Sequence, residues 1–255
     1  MMKKKKQFFR GVIIGTALIV LLAASLTTSY LTDREIAYNI VTIGNVEVTI
    51  DETPFDPTSS YPADAGTVIG KAPKLKNEGT TDEYVFIKVS VPKKEVTFLD
   101  ETTGKKDGNT NPRTGEIFKL LTNDTGTKLT QDINNTALTD VTFYYHKGDN
   151  SNSVDGWYLV YTTAATVNSV DYNVYTFGYN KKLKPGDSTK TLFDKIQLKS
   201  IIDTEVKGDV SIQVGAYAIQ SDELNLPGIE NDYEGHLSTT NVETIYNIVK
   251  NKGGV

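Results

Sequence analysis
The sequence predicts a mainly β protein, an antiparallel β-sandwich of jelly-roll type with a short C-terminal helix and, ahead of it, an N-terminal hydrophobic signal helix. Three observations lead there. Apolar and polar residues alternate in several separate stretches, which is the period of a strand with one buried face. These stretches are divided by Gly, Pro, Asn and Ser, without the intervening helices of a βαβ fold. The segment Val141 to Tyr179 holds seven of the 14 Tyr and the single Trp, residue types that suit a pleated, half-buried surface.

The chain begins with Lys3, Lys4, Lys5, Lys6 and Arg10, followed by an uncharged run from Gly11 to Thr32. A basic cluster ahead of an apolar run is the layout of a secretory signal peptide. Thr27 and Ser29 place small residues three and one positions before a cut between Ser29 and Tyr30. Residues 1–29 are therefore read as the signal peptide and residues 30–255 as the secreted domain. A retained membrane anchor is the competing reading, since about 20 apolar residues span a bilayer. The polar end at Ser25, Thr27, Thr28 and Ser29 shortens the apolar part toward signal length, so cleavage is the expectation. It removes five of the 27 basic residues and none of the 32 acidic ones, moving the formal charge from −5 to −10. Such an acidic surface argues against nucleic acid as a partner and leaves the membrane as one only through an uncleaved N-terminal segment. The absence of Cys excludes disulfides and a thiol nucleophile, and suits a secreted protein of a Gram-positive bacterium.

The first strand follows the junction closely. Val46, Val48 and Ile50 alternate with Glu47 and Thr49, and Ile40 to Ile43 precede them across Gly44-Asn45. Asp51 to Gly70, with Pro54, Pro57 and Pro62, reads as a loop. Val85, Ile87, Val89 and Val91 make a second alternating strand that is expected to stop at Pro92. Gly104 to Gly115 is turn material. Val141 to Tyr145, Trp157 to Thr163 and Val170 to Tyr179 read as a three-stranded meander, with a polar loop from Gly148 to Gly156 and a turn at Asn168-Ser169. Leu183 to Asp187 is another turn. Val210, Ile212, Val214, Ala216 and Ala218 then face one way, with Ser211, Gln213 and Tyr217 opposite. A closing helix is expected from a capping box of Thr240 and Glu243, with Val242, Ile245, Ile248 and Val249 on its apolar side and Gly253 as its stop.

Three phrases resemble the TasA/camelysin family of secreted proteins. The first runs from Tyr30-Leu31-Thr32-Asp33 through Ala37-Tyr38-Asn39 to Ile43-Gly44-Asn45-Val46-Glu47-Val48. The second is Ile69 to Thr80 feeding Tyr84-Val85-Phe86-Ile87-Lys88-Val89. The third joins Leu183-Lys184-Pro185-Gly186-Asp187 with Val214 to Gln220. The resemblance implies a jelly roll, export with cleavage by a dedicated signal peptidase and, for biofilm members, fibres in which one subunit's N-terminal strand completes the next subunit's sheet. The expected partners are thus other copies of the chain or other matrix proteins, with the secretion machinery during export. The stretch from about 98 to 179 lies outside the family phrases and is read as an insertion. On physical grounds, a strand near a new N-terminus is tethered at one end and can pair with its own sheet or a neighbour's. Its candidate side chains are Ile40, Ile43, Val46, Val48 and Ile50.

Camelysin-type members are classed as metalloendopeptidases, which makes catalysis the alternative function. A zinc site of the common type needs two His one helical turn apart with a Glu between. This chain has His146 and His236 alone, 90 positions apart. His236 with Asp232 and Glu234 could hold a metal weakly, but a loop of acidic residues near one His is more often simply solvated, and calcium is the better metal candidate. Asp107 to Asn111 imitates half of a calcium loop but has Pro112 and Phe118 where Gly and Glu belong. Asp149 to Asp155 offers oxygen ligands, or simply a polar turn. No nucleophile triad or phosphate loop is present. Neither catalytic residues nor a cofactor is expected. Tyr144, Tyr158, Tyr161, Tyr172, Tyr175 and Tyr179 are candidates for a glycan-binding face, although period-two placement turns half of them inward.

Overall fold
The described residues fold mainly into antiparallel β-strands that curl as a half-barrel, with one short helix. This architecture is seen in a computed structural model that describes residues 46–56, 66–109, 111–202, 210–221, 224 and 235–251. The strands are β1 (Val48–Asp51), β2 (Val68–Gly70), β3 (Lys74–Asn77), β4 (Glu83–Val96), β5 (Arg113–Glu116), β6 (Phe118–Leu121), β7 (Thr127–Lys128), β8 (Tyr144–Tyr145), β9 (Trp157–Val167), β10 (Val170–Tyr179), β11 (Lys195–Leu198) and β12 (Gln213–Gln220). The helix α1 spans Thr239–Asn251.

β4 is the centre of the main sheet, whose order is β12-β4-β10-β9, with β5 pairing the far half of β4. Three smaller sheets join β2-β11-β6, β1-β3 and β7-β8. The odd residues of β4, Val85, Ile87, Val89 and Val91, are fully buried. All four share a core with Phe118 and Leu120 of β6, Ile196 and Leu198 of β11, and Phe177 of β10. Phe143 stands at its aromatic centre, with ring centroids 5.3 Å from Phe177, 5.5 Å from Tyr175 and 5.8 Å from Phe193.

The even residues Tyr84 and Phe86 are buried as well, in a second cluster with Tyr217, Ile219, Val242, Ile245, Tyr246 and Val249. The helix lies over this outer face, so β4 is apolar on both sides. Gly178 of β10 lets the helix approach: a Cβ there would sit 2.3 Å from Val242 Cγ1 and 2.8 Å from Phe86. The start of α1 differs from the expected capping box. Ser238 Oγ accepts the Asn241 N–H at 3.3 Å, which puts the cap two residues before Thr240. Tyr246 joins Val242, Ile245 and Val249 on the buried side.

Other expectations are corrected by pairing. β4 runs through Pro92, which falls where one edge changes partners: β12 pairs as far as Ser90, and β5 begins at Lys93. A missing N–H is tolerated at such a gap. The expected meander keeps two strands, β9 and β10, joined across Asn168 and Ser169 with φ of 49° and 63°, the left-handed pair of a tight hairpin turn. Tyr144-Tyr145 instead pairs with β7. The stretch 98–179, read as an insertion, supplies β5 to β10, including three strands of the main sheet, and Ile117, Phe118, Leu120 and Phe143 of the shared core.

Candidate functional site
The first described strand meets the core through the alternating face of its sequence. Val46 and Val48 are buried, Glu47 and Thr49 exposed, and Ile50 packs half-buried against the same core. β1 pairs with β3 from Val48↔Asn77 to Asp51↔Lys74. The signal junction Ser29 and Tyr30, together with Ile40 and Ile43, lies outside the described residues.

Both ends of this strand are held by charged groups. At its C-terminal end, the buried Lys71 reaches Glu52 at 2.6 Å and lies 3.8 Å from the centre of the Phe55 ring. Burial holds the Lys71 ammonium below its ordinary pKa, with Glu52 opposing. Lys74 adds an exposed ion pair to Asp51 at 3.1 Å.

At the entrance, the Glu47 N–H donates to Glu83 Oε1 at 3.2 Å. The Glu47 carbonyl accepts from the N–H groups of Glu78 and Gly79 at 2.8 and 3.1 Å. Beside it, the fully buried Asn77 donates through Nδ2 to the carbonyls of Thr81 and Leu183 at 2.8 and 2.9 Å, and accepts from the Gly79 N–H. Glu83 is also fully buried, and its Oε2 has no hydrogen-bond partner among the described residues. Burial raises its carboxyl to about 7; the Glu47 N–H opposes the shift and the Glu47 charge adds to it.

Glu83 is a site residue that the sequence reading passed over, although a signal was present. It stands on the odd positions of β4, in phase with Val85, Ile87, Val89 and Val91, so the same alternation that buries those valines turns its carboxyl inward. Lys71 carries no comparable pattern, because it lies in a connection rather than a strand.

The two His are both partnered by carboxylates. His236 is buried, with Nε2 2.5 Å from Asp155 Oδ1; Asp232 and Glu234 lie outside the described residues. His146 lies between Asp194 and Asp124. Asp107 pairs with Arg113 at 2.6 Å and accepts from Asn109 and Asn111, so its loop is braced internally. Asp149 likewise binds its own turn, through Ser151 and Asn152. Of the six tyrosines suggested for a sugar-binding face, Tyr158, Tyr172, Tyr175 and Tyr179 are buried, which corrects the idea of a common platform. Tyr144 and Tyr161 are half-buried, and Tyr161 carries Lys250 3.6 Å from its ring centre.

Comparisons with protein-family models, characterised proteins and solved structures found no match to this chain.

Proposed function
We propose that this chain is an exported structural protein of the cell surface or biofilm matrix, self-associating by exchange of its N-terminal strand, with a sandwich of jelly-roll ancestry as the exchanging domain. The observation that carries the proposal is the docking of β1. It attaches by a four-residue register to β3 alone among the described strands, and by the buried Val46 and Val48. Burying two such side chains contributes about 3–6 kcal/mol, which a neighbour's identical groove can supply equally. The signal-like leader and the ordered TasA/camelysin-like phrases support the same reading.

The test uses the chain beginning at Tyr30. At high concentration it is expected to form elongated, protease-resistant assemblies by electron microscopy. Deleting Tyr30 to Asp51, and with it β1, should abolish these assemblies. A chain from Tyr30 that stays monomeric under every condition sinks the proposal.

A further inference from the structure
A second group of side chains carries an inference that does not depend on the proposed function. Asp124, His146 and Asp194 come from three separate segments, yet each brings one ligand atom within 4.8 Å of the others. Each is anchored through its backbone. The Asp124 carbonyl accepts from the Thr122 hydroxyl at 2.8 Å and the Gly126 N–H at 2.9 Å. The His146 N–H donates to Leu192 O at 3.0 Å, and the Asp194 N–H to Leu121 O at 2.9 Å.

The Asp194 carboxylate is also aimed. Its Oδ2 accepts the Asn123 N–H at 2.7 Å and its Oδ1 the Thr191 hydroxyl at 2.9 Å. Outer hydrogen bonds that fix a ligating carboxylate are what a metal site requires.

The imidazole supplies an independent argument. His146 Nε2 lies 3.0 Å from Asp194 Oδ2, and Nδ1 lies 3.6 Å from Asp124 Oδ1. A neutral imidazole has one N–H and one lone pair. In either tautomer, therefore, a lone pair faces a carboxylate oxygen, and that repulsion is removed by a cation placed among the three groups. A second proton on the ring is the competing remedy. The chemistry of the set selects the ion: calcium prefers six to eight oxygens, whereas imidazole with carboxylates suits first-row metals. In a tetrahedral zinc site with bonds of about 2.0 Å, neighbouring ligand atoms stand about 3.3 Å apart, close to the 3.0 Å between Nε2 and Oδ2.

We propose that Asp124, His146 and Asp194 bind a divalent cation of the zinc type, with His146 and Asp194 preset and the more exposed Asp124 closing on the ion. Three protein ligands leave a fourth position for water or a group from another molecule. The ion would tie the turn after β6 to the end of β8 and the approach to β11.

The experiment strips the full chain with chelator, dialyses it against zinc at pH 7.5, and measures metal retained per chain and affinity by calorimetry. One zinc per chain is expected, with cobalt substitution giving the visible spectrum of a tetrahedral site. His146→Ala and Asp194→Asn should abolish binding, and Asp124→Asn should weaken it more than about tenfold. The Asp124 side chain is 76% exposed, so that variant decides the matter even if the others unfold. His236→Ala should bind as the native chain does. Absence of retained zinc, as a His146 imidazolium paired with two carboxylates would produce, overturns the proposal. So does equal affinity in Asp124→Asn, or loss of zinc in His236→Ala.

Discussion
Glu83 and Glu116 are both buried carboxylates beside β4, each with one oxygen lacking a hydrogen-bond partner among the described residues, and they differ in who supplies the donors. Glu116 Oε1 accepts from the Tyr175 hydroxyl at 2.5 Å and Asn173 Nδ2 at 2.8 Å, both on β10. The buried Lys199 adds a favourable charge and itself donates to the Asp140 carbonyl. Glu83 has one identified donor, the Glu47 N–H at the entrance to the terminal strand. Burial raises both carboxyls, but the first is fixed by side chains inside the sheet and the second by the backbone of the segment leading into β1. A buried charge can thus brace a core or report on the seating of a strand, depending on whether its donor belongs to the interior.

The sharpest way to break this comparison is Glu116→Ala. It leaves the Tyr175 hydroxyl and Asn173 Nδ2 without their acceptor, and each donor left unpaired costs about 1–3 kcal/mol. The melting temperature should fall by about 10 °C. A fall of one or two degrees would show that Glu116 is dispensable to the core.

Glu83→Gln should have a smaller effect, and one that changes with pH. The native carboxyl titrates at about 7 against an ordinary 4.5, so between those values the folded chain holds a proton that the unfolded chain has released. Stability is therefore greatest below 4.5 and declines as pH rises to 7. Allowing for solvent near the strand entrance, the decline attributable to this group is about 2 kcal/mol. The glutamine variant keeps an acceptor for the Glu47 N–H and has nothing to ionise. Its denaturation midpoint should match the native one at pH 4.5 and exceed it at pH 8; parallel curves would exclude the role given to Glu83.

The smallest effect belongs to Lys74→Ala at the opposite end of β1. Its ion pair with Asp51 is exposed, and such pairs contribute about 0.5 kcal/mol or less. Urea midpoints should barely move, and the difference should vanish in 1 M salt, where screening acts over about 3 Å. A large loss would mean that this exposed pair, rather than the buried Lys71–Glu52 contact, holds the outer end of the strand.

Alternation made the long strands legible. Val85 to Val91 and Ala216 to Ala218 lie on the faces their spacing assigns, and Asn168-Ser169 makes its turn. The even side of β4 was less legible, because Phe86 is buried by Val242 and Tyr246 of a helix some 150 positions later. Period two identifies a face but not what will cover it. β7 and β8 are two residues each, too short to carry a period. The Asp124, His146 and Asp194 group was hidden for a related reason: its members follow no local spacing, and pairing of β6 with β11 brings two of their segments together. Glu83 was legible in principle, as a carboxylate in phase with valines.

The partners of β4 also bear on how the chain reaches its folded state. β9 and β10 are neighbours in sequence and close through a two-residue turn, so they can form a hairpin in about 1–10 μs. β4 must then find β10 nearly 80 positions further on and β12 some 130 positions on. Pairings of such separation place folding in the slow range of milliseconds to seconds. Because β12 is the last strand described, an emerging polypeptide that has delivered its first 200 residues still has the β12 edge of β4 open. Closure of the main sheet must wait until β12 has been delivered.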